Sequence, residues 1–180
     1  MKKLLFTLAF TLTTQQVLTQ VLPISDKTGE VLYESVINID GASTEELYIR
    51  AKEWFAKRFN SANDVIQMQD KEAGKIIGKG AFRIKKGLYV VGSQVHYTIS
   101  IFAKEGRYKY AITDIYHEAN KDYPRNGGGS LSNEKPDCGH QRILKKVWRK
   151  IKSATHQYCT ELSKDITLFM SEANNEDDDW

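Results

Sequence analysis

QVHYTISIFAKEGRYKYAITDIYH, residues 94–117, decides the fold. With Glu105-Gly106 as a two-residue turn, Lys104 faces Arg107 and two strands run back antiparallel. One face then collects Val95, Tyr97, Ile99 and Ile101 with Tyr108, Tyr110, Ile112 and Tyr116. The other collects Gln94, His96, Thr98 and Ser100 with Lys109, Thr113 and His117. One register makes one face apolar and the other polar on both strands, as a sheet covered on one side requires. Unbroken alternation also puts Asp114 on the apolar face, opposite Tyr97 and near Tyr116.

Working outward, the fourth strand of the fold begins near Tyr89 and runs to Phe102, and the fifth runs from Arg107 to His117. Lys86-Gly87 is a hairpin turn, preceded by a third strand over Lys75 to Lys85. This strand turns Ile76, Gly78, Gly80, Phe82 and Ile84 to one side and Lys75, Ile77, Lys79, Ala81, Arg83 and Lys85 to the other. Asp70 to Gly74 is a turn, and Val65 to Gln69 a short second strand. Further upstream, Ser43 with Glu46 forms a capping-box pattern. Leu47, Ala51, Trp54, Phe55 and Phe59 recur at helical spacing, so a helix is expected from Thr44 to Phe59. Val31, Tyr33, Ile37 and Ile39 alternate as a first strand.

Downstream, Glu118 to Gly139 is a long loop with Pro124, three glycines at 127–129 and Pro136, a length that suggests a flexible or functional segment. From about His140, Ile143, Val147, Ile151, Ala154, Tyr158, Leu162, Ile166 and Phe169 form the stripe of one long helix, widened by Leu144 and Trp148. The expected architecture is α+β, ordered β-α-β-β-β-β-α: a five-stranded curved antiparallel sheet with two helices packed on one face. It occupies residues 22–170 as a single domain.

The ends differ from this body. Lys2-Lys3, the apolar run Leu4 to Leu12 and the polar run Thr13 to Gln16 have the order of a secretory signal peptide, assigned to residues 1–19. The apolar run is about half the ~20 residues that cross a membrane, and no later segment is long and apolar enough to span. Export in soluble form, to the periplasm or outside the cell, is expected. Lys2 and Lys3 are two of 26 basic residues; without them 24 face 23 acids. Glu176, Asp177, Asp178 and Asp179 gather in residues 171–180, so the tail is acidic and expected to be disordered, while the body is somewhat basic. Cys138 and Cys159 are expected to be unpaired, with Cys159 the more buried.

Several stretches carry a family resemblance: Leu22-Pro23-Ile24 with Thr28-Gly29-Glu30-Val31-Leu32-Tyr33, Glu46-Leu47-Tyr48 through Ala51-Lys52-Glu53-Trp54-Phe55, and Asp70-Lys71-Glu72-Ala73-Gly74-Lys75-Ile76-Ile77-Gly78-Lys79-Gly80. Together they resemble a family of exported domains of unknown function, common in Bacteroidota and described as having a TATA-binding-protein-like fold. The likeness covers Leu22 to His117; over the final helix it rests on pattern. It implies the same element order and adds no catalytic residue. Nor does it bring DNA as a partner: export and the lack of an intercalating Phe pair on the helix-free face argue against nucleic acid.

Candidate chemistry is sparse. Gly74 to Gly80 has neither the spacing nor the strand-to-helix context of a phosphate loop. Gly78 and Gly80 instead let a helix approach the sheet or leave a cavity beneath it. In such a cavity Asp114 is a polar anchor beside Tyr97 and Tyr116, and an enzyme of unrecognised type would use it with a nearby Tyr or His. Lys75, Lys79, Arg83 and Lys85, with Arg107, Lys109, His96 and His117, make the outer face basic. Lys79 and Arg83 are its candidate binding residues for an anionic envelope component, a lipid or a partner protein. On the final helix Arg142, Lys145, Lys146, Arg149, Lys150 and Lys152 flank the apolar stripe as solvated cations. No HExxH, paired-Cys or GxSxG motif occurs, so no catalytic residue, cofactor or metal is assigned. His96 and His117, as diagonal neighbours, offer at most one weak metal pair. The expected function is a binding or envelope-accessory domain, with the cavity enzyme as its alternative.

Overall fold

The computed structural model describes residues 22–84, 93–118, 127–137 and 141–172, with the side chains of 141–144 excepted. The leader over 1–19, Lys85, the Lys86-Gly87 turn, the strand start at Tyr89, Cys138, His140 and the acidic run 176–179 lie outside these residues.

Local sequence sets the first elements. Strand β1 covers Tyr33–Asn38 and helix α1 covers Thr44–Arg58. Ser43 caps α1 by accepting the Glu46 amide on its hydroxyl at 3.1 Å, satisfying a donor that the first turn leaves free. Glu45 and Glu46 at its start and Lys57 and Arg58 at its end suit the helix dipole. A four-residue helix, α2 (Ala62–Val65), then leads into β2 (Ile66–Asp70). It replaces the start of the second strand because Ser61 caps it through the Asp64 amide.

Strands β3 (Lys75–Arg83), β4 (Gln94–Lys104) and β5 (Arg107–Glu118) follow in antiparallel register. The sheet order is β1-β5-β4-β3-β2. Lys104 pairs with Arg107 across Glu105-Gly106, as the sequence requires. Gly106, at φ 67°, donates to the Ala42 carbonyl and accepts from the Ile39 amide, both at 2.9 Å. The turn is thereby tied to the link between β1 and α1.

The register breaks once. Thr98 pairs with Thr113 and His96 with Tyr116, so Tyr97 faces both Asp114 and Ile115. Asp114 has φ 50°, a left-handed conformation that Asp tolerates better than most residues. A bulge of one residue exchanges the faces of everything beyond it. Ile115 and His117 therefore point into the core, and Asp114 and Tyr116 point outward.

The long loop is partly built into the fold. Gly129–Ser130 form a sixth strand, β6, on Tyr116 and His117. Leu131 is fully buried, its amide bonded to the Ile115 carbonyl at 3.0 Å. Helix α3 covers Gln141–Ser171, about 46 Å at 1.5 Å per residue. Trp148, Ile151, Thr155, Cys159, Leu162, Ile166 and Met170 are its deepest positions, following an 11-residue spacing. Tyr158 and Phe169, on the flank of this stripe, are half-buried. Among the described residues no helix is long and apolar enough to cross a membrane.

Both long helices cover the face made by Ile76, Val95, Ile99, Ile101, Tyr108 and Ile112. Trp54 and Phe55 of α1 pack edge to face with centroids 5.0 Å apart. The Trp54 indole donates to Asp165 of α3 at 2.9 Å. Buried Arg50 donates to the Met170 carbonyl at 3.1 Å and pairs with Glu46, placing a cation at the negative end of α3.

Candidate functional site

The inner face offers no assembled polar site at the expected residues. Tyr97 is buried, and its hydroxyl lies 3.0 Å from that of Tyr158. Burial, with Tyr158 beside it, pushes the Tyr97 phenol well above its ordinary pKa. Asp114 is exposed on the opposite face, where Thr113 donates to its carboxylate at 3.3 Å. Tyr116 is 41% exposed and stacks on His96. The bulge thus separates the three residues that regular alternation grouped together.

The two strand glycines are occupied from above. A Cβ on Gly78 would lie 2.5 Å from Cε1 of Phe55, and one on Gly80 would collide with the Tyr97 ring. They are close-approach positions filled by aromatic rings. Beyond them, Phe82 stacks on Tyr158 at 3.9 Å.

His117 also changes face. It is fully buried, and its Nδ1–H donates to the Gly127 carbonyl at 2.7 Å. Desolvation holds its pKa below the ordinary histidine value. Its ring meets the edge of Trp148, across the sheet from His96. His96 instead contacts Glu118 at 2.8 Å, so the two histidines do not form a pair. Among the described residues no group of three His, Cys, Asp or Glu side chains could hold a metal. Cys159 is free and buried, its thiol pushed up to about 12 by desolvation.

The helix-free face is open and carries unpaired cations. Lys79 and Arg83 are exposed on β3, and neither has a carboxylate partner among the described residues. Four residues of strand separate them, about 13 Å at 3.3 Å each, and the same interval separates Lys79 from Lys75. A row of residues crosses the sheet at the Lys75 level: Val36, Lys109, Phe102 and Lys75 are successive register partners. Val36 is 57% exposed. The Lys75 ammonium lies 5.4 Å from the Phe102 ring centre.

This row borders a cleft of about 440 Å³ lined by Val36, Phe102, Lys104, Arg107, Tyr108 and Lys109. Lys109 is held by Glu34 at 2.6 Å, whereas Lys104 and Arg107 have no carboxylate partner among the described residues. Glu105, in the turn between them, is engaged at the Thr44 amide of α1. The result is an apolar floor with a cationic rim. Sequence reasoning counted Arg107 and Lys109 on this face but left out Lys104, and it missed the apolar pair Val36 and Phe102. Their signal was two large apolar residues on the outward-facing positions of otherwise polar strands.

The elements and the open, cationic sheet face define the class: an α+β domain of TATA-binding-protein-like fold. Residues 33–118 match DUF4468, a domain of unknown function with TBP-like fold. The chain is similar in structure to a DUF4468 family protein from Bacteroides ovatus, with a TM-score of 0.61 and 19% identity over 88% of this chain and 94% of that one. It is likewise similar to a TBP-like protein from Parabacteroides distasonis, with a TM-score of 0.65 and 16% identity over 84% of this chain and 98% of that one. At these identities the likeness concerns the fold. No curated protein matches the chain.

Proposed function

We propose that this protein is an exported binding module whose helix-free sheet face receives an anionic, partly apolar envelope component. The observation that carries this reading is the cleft: exposed Val36 and half-buried Phe102 form its floor, and Lys104, Arg107 and Lys109 its rim. A phosphate or carboxylate would meet the guanidinium of Arg107 in a forked geometry, with Lys104 as a point charge. An acyl chain or aromatic group would cover the floor, removing Val36 from water. Lys75, Lys79 and Arg83 extend the positive surface along β3 and would steer an anion toward it. The basic, then apolar, then polar order of residues 1–19 supports export.

Co-sedimentation with anionic phospholipid vesicles, against zwitterionic ones, tests this. Binding should be confined to the anionic vesicles and weaken with added salt. It should fall several-fold in Lys104→Glu/Arg107→Glu and less in Lys79→Glu/Arg83→Glu. Equal binding by all three proteins would rule the face out.

A further inference from the structure

The bulge at Asp114 assembles a second feature on the helix-free face, away from the cleft. It turns Tyr116 outward, where the ring stacks on His96 with centroids 5.1 Å apart and planes 17° from parallel. The two residues are register partners on neighbouring strands, and strands lie about 4.8 Å apart. The ring separation matches the strand spacing, so the ring normals run across the strands. Tyr116 covers one face of the imidazole, and the other face looks toward β3. There the register partner of His96 is Ala81, exposed and too small to cover it. Glu118 holds Nε2 at 2.8 Å and fixes the ring in place. β2 pairs with β3 no further than Gly78, so no described strand flanks Ala81 on its far side.

The result is a slot with a flat aromatic wall and an alanine floor. Lys79 and Arg83 stand at its two ends, each two residues from Ala81 and about 13 Å from each other. Both are exposed, and neither has a carboxylate partner among the described residues. Thr98 is the register partner of Lys79 and Gln94 that of Arg83, so each cation has a neutral hydrogen-bonding neighbour. Neither β3 nor β4 contains an Asp or Glu. His96 lies six residues along β4 from Phe102, about 20 Å, and the slot shares no residue with the cleft.

The spacing of the cations selects the ligand. A nucleic-acid strand carries a charge about every 3.4 Å, so cations about 13 Å apart would leave most of its phosphates unmatched. They suit an acidic polysaccharide in which uncharged rings separate the carboxylates. The flat C–H face of a sugar ring fits against the imidazole, its hydroxyls meet Thr98 and Gln94, and a carboxylate meets the Arg83 guanidinium in forked geometry.

We propose that the slot over Ala81 binds an uncharged sugar ring of an acidic polysaccharide, with Lys79 and Arg83 holding the carboxylates on either side of it. The bulge then serves more than the fold. In an unbroken register His96 would pair with Ile115 and lose its aromatic backing.

Isothermal titration with a hyaluronan octasaccharide, whose carboxylated rings alternate with uncharged ones, tests the proposal. The unaltered protein should bind it in low salt and should not bind the carboxyl-reduced octasaccharide. Binding should weaken several-fold in Lys79→Glu/Arg83→Glu. It should also weaken several-fold in Ala81→Leu, which fills the slot at unchanged charge, and in His96→Ala, which removes the wall. Lys145→Glu/Lys150→Glu makes the same charge change at exposed positions of α3 and should bind nearly as well as the unaltered protein. Melting temperatures on the same samples identify any variant that has not folded. Absence of binding by the unaltered protein would overturn the proposal. So would an equal loss in Lys145→Glu/Lys150→Glu, undiminished binding by folded Ala81→Leu or His96→Ala, or tighter binding of an eight-nucleotide single strand. No vesicle enters this measurement and no cleft residue is altered in it. The slot can therefore fail while vesicle binding persists, and vesicle binding can fail while the octasaccharide still binds.

Discussion

The two faces of the sheet are built from alternate residues of the same strands, yet they solve different problems. On the helix side, Phe55 fills the space over Gly78 and Tyr97 the space over Gly80. Trp54 and Arg50 fasten α1 to α3 through Asp165 and the Met170 carbonyl. On the other side, Lys79, Arg83, Lys104 and Arg107 stand without carboxylate partners among the described residues, beside exposed Val36. The inner face spends its side chains on cohesion, and the outer face leaves charge and apolar surface unmatched. Burial marks the residues that hold this protein together. Unmatched exposure marks those free to bind.

Substitutions can break that contrast. Trp54→Ala should have the largest effect on stability. It removes a fully buried indole and its hydrogen bond to Asp165, which keeps only Arg58 at 3.6 Å, with a loss of about 3–5 kcal/mol by chemical denaturation. Gly78→Val comes next, since Phe55 stands where the new methyls must go; overpacking of this kind costs about 1–3 kcal/mol.

His117 sharpens the contrast through pH. Its folded pKa lies below its unfolded value, because burial disfavours the charged ring. The folded state therefore binds fewer protons, and stability rises with pH across that window. The contribution is complete above about pH 6.5 and is lost as pH falls through the folded pKa. Thermal melts of His117→Gln should be flatter than those of the unaltered protein between about pH 7 and 5. The smallest effect on stability belongs to the open face: Lys79→Glu with Arg83→Glu should change it by no more than about 0.5 kcal/mol.

The sequence made the same contrast partly legible. Helix α1 could be read because Ser43 and Glu46 mark its start and its apolar stripe has one period. The β4–β5 hairpin could be read because Glu105-Gly106 fixes a register that sorts both strands at once. That logic failed at Asp114, because a bulge adds one residue without changing composition; its trace is an Asp able to adopt a positive φ. The error moved Asp114 and Tyr116 into the core and His117 out of it. The short elements α2 and β6 were lost for another reason: four and two residues are too few to display a period. The cleft was half legible. Its cations stand out in the sequence, but Val36 and Phe102 acquire meaning only when β1, β5 and β4 lie side by side.

The central claim is that the helix-free face binds and the helix-covered face holds the fold. It is tested most directly by anionic-vesicle co-sedimentation of the unaltered protein beside Lys104→Glu/Arg107→Glu, with melting temperatures measured on the same samples. The account predicts several-fold weaker binding by the variant at an unchanged melting temperature. Undiminished binding by a variant that is equally stable would contradict it.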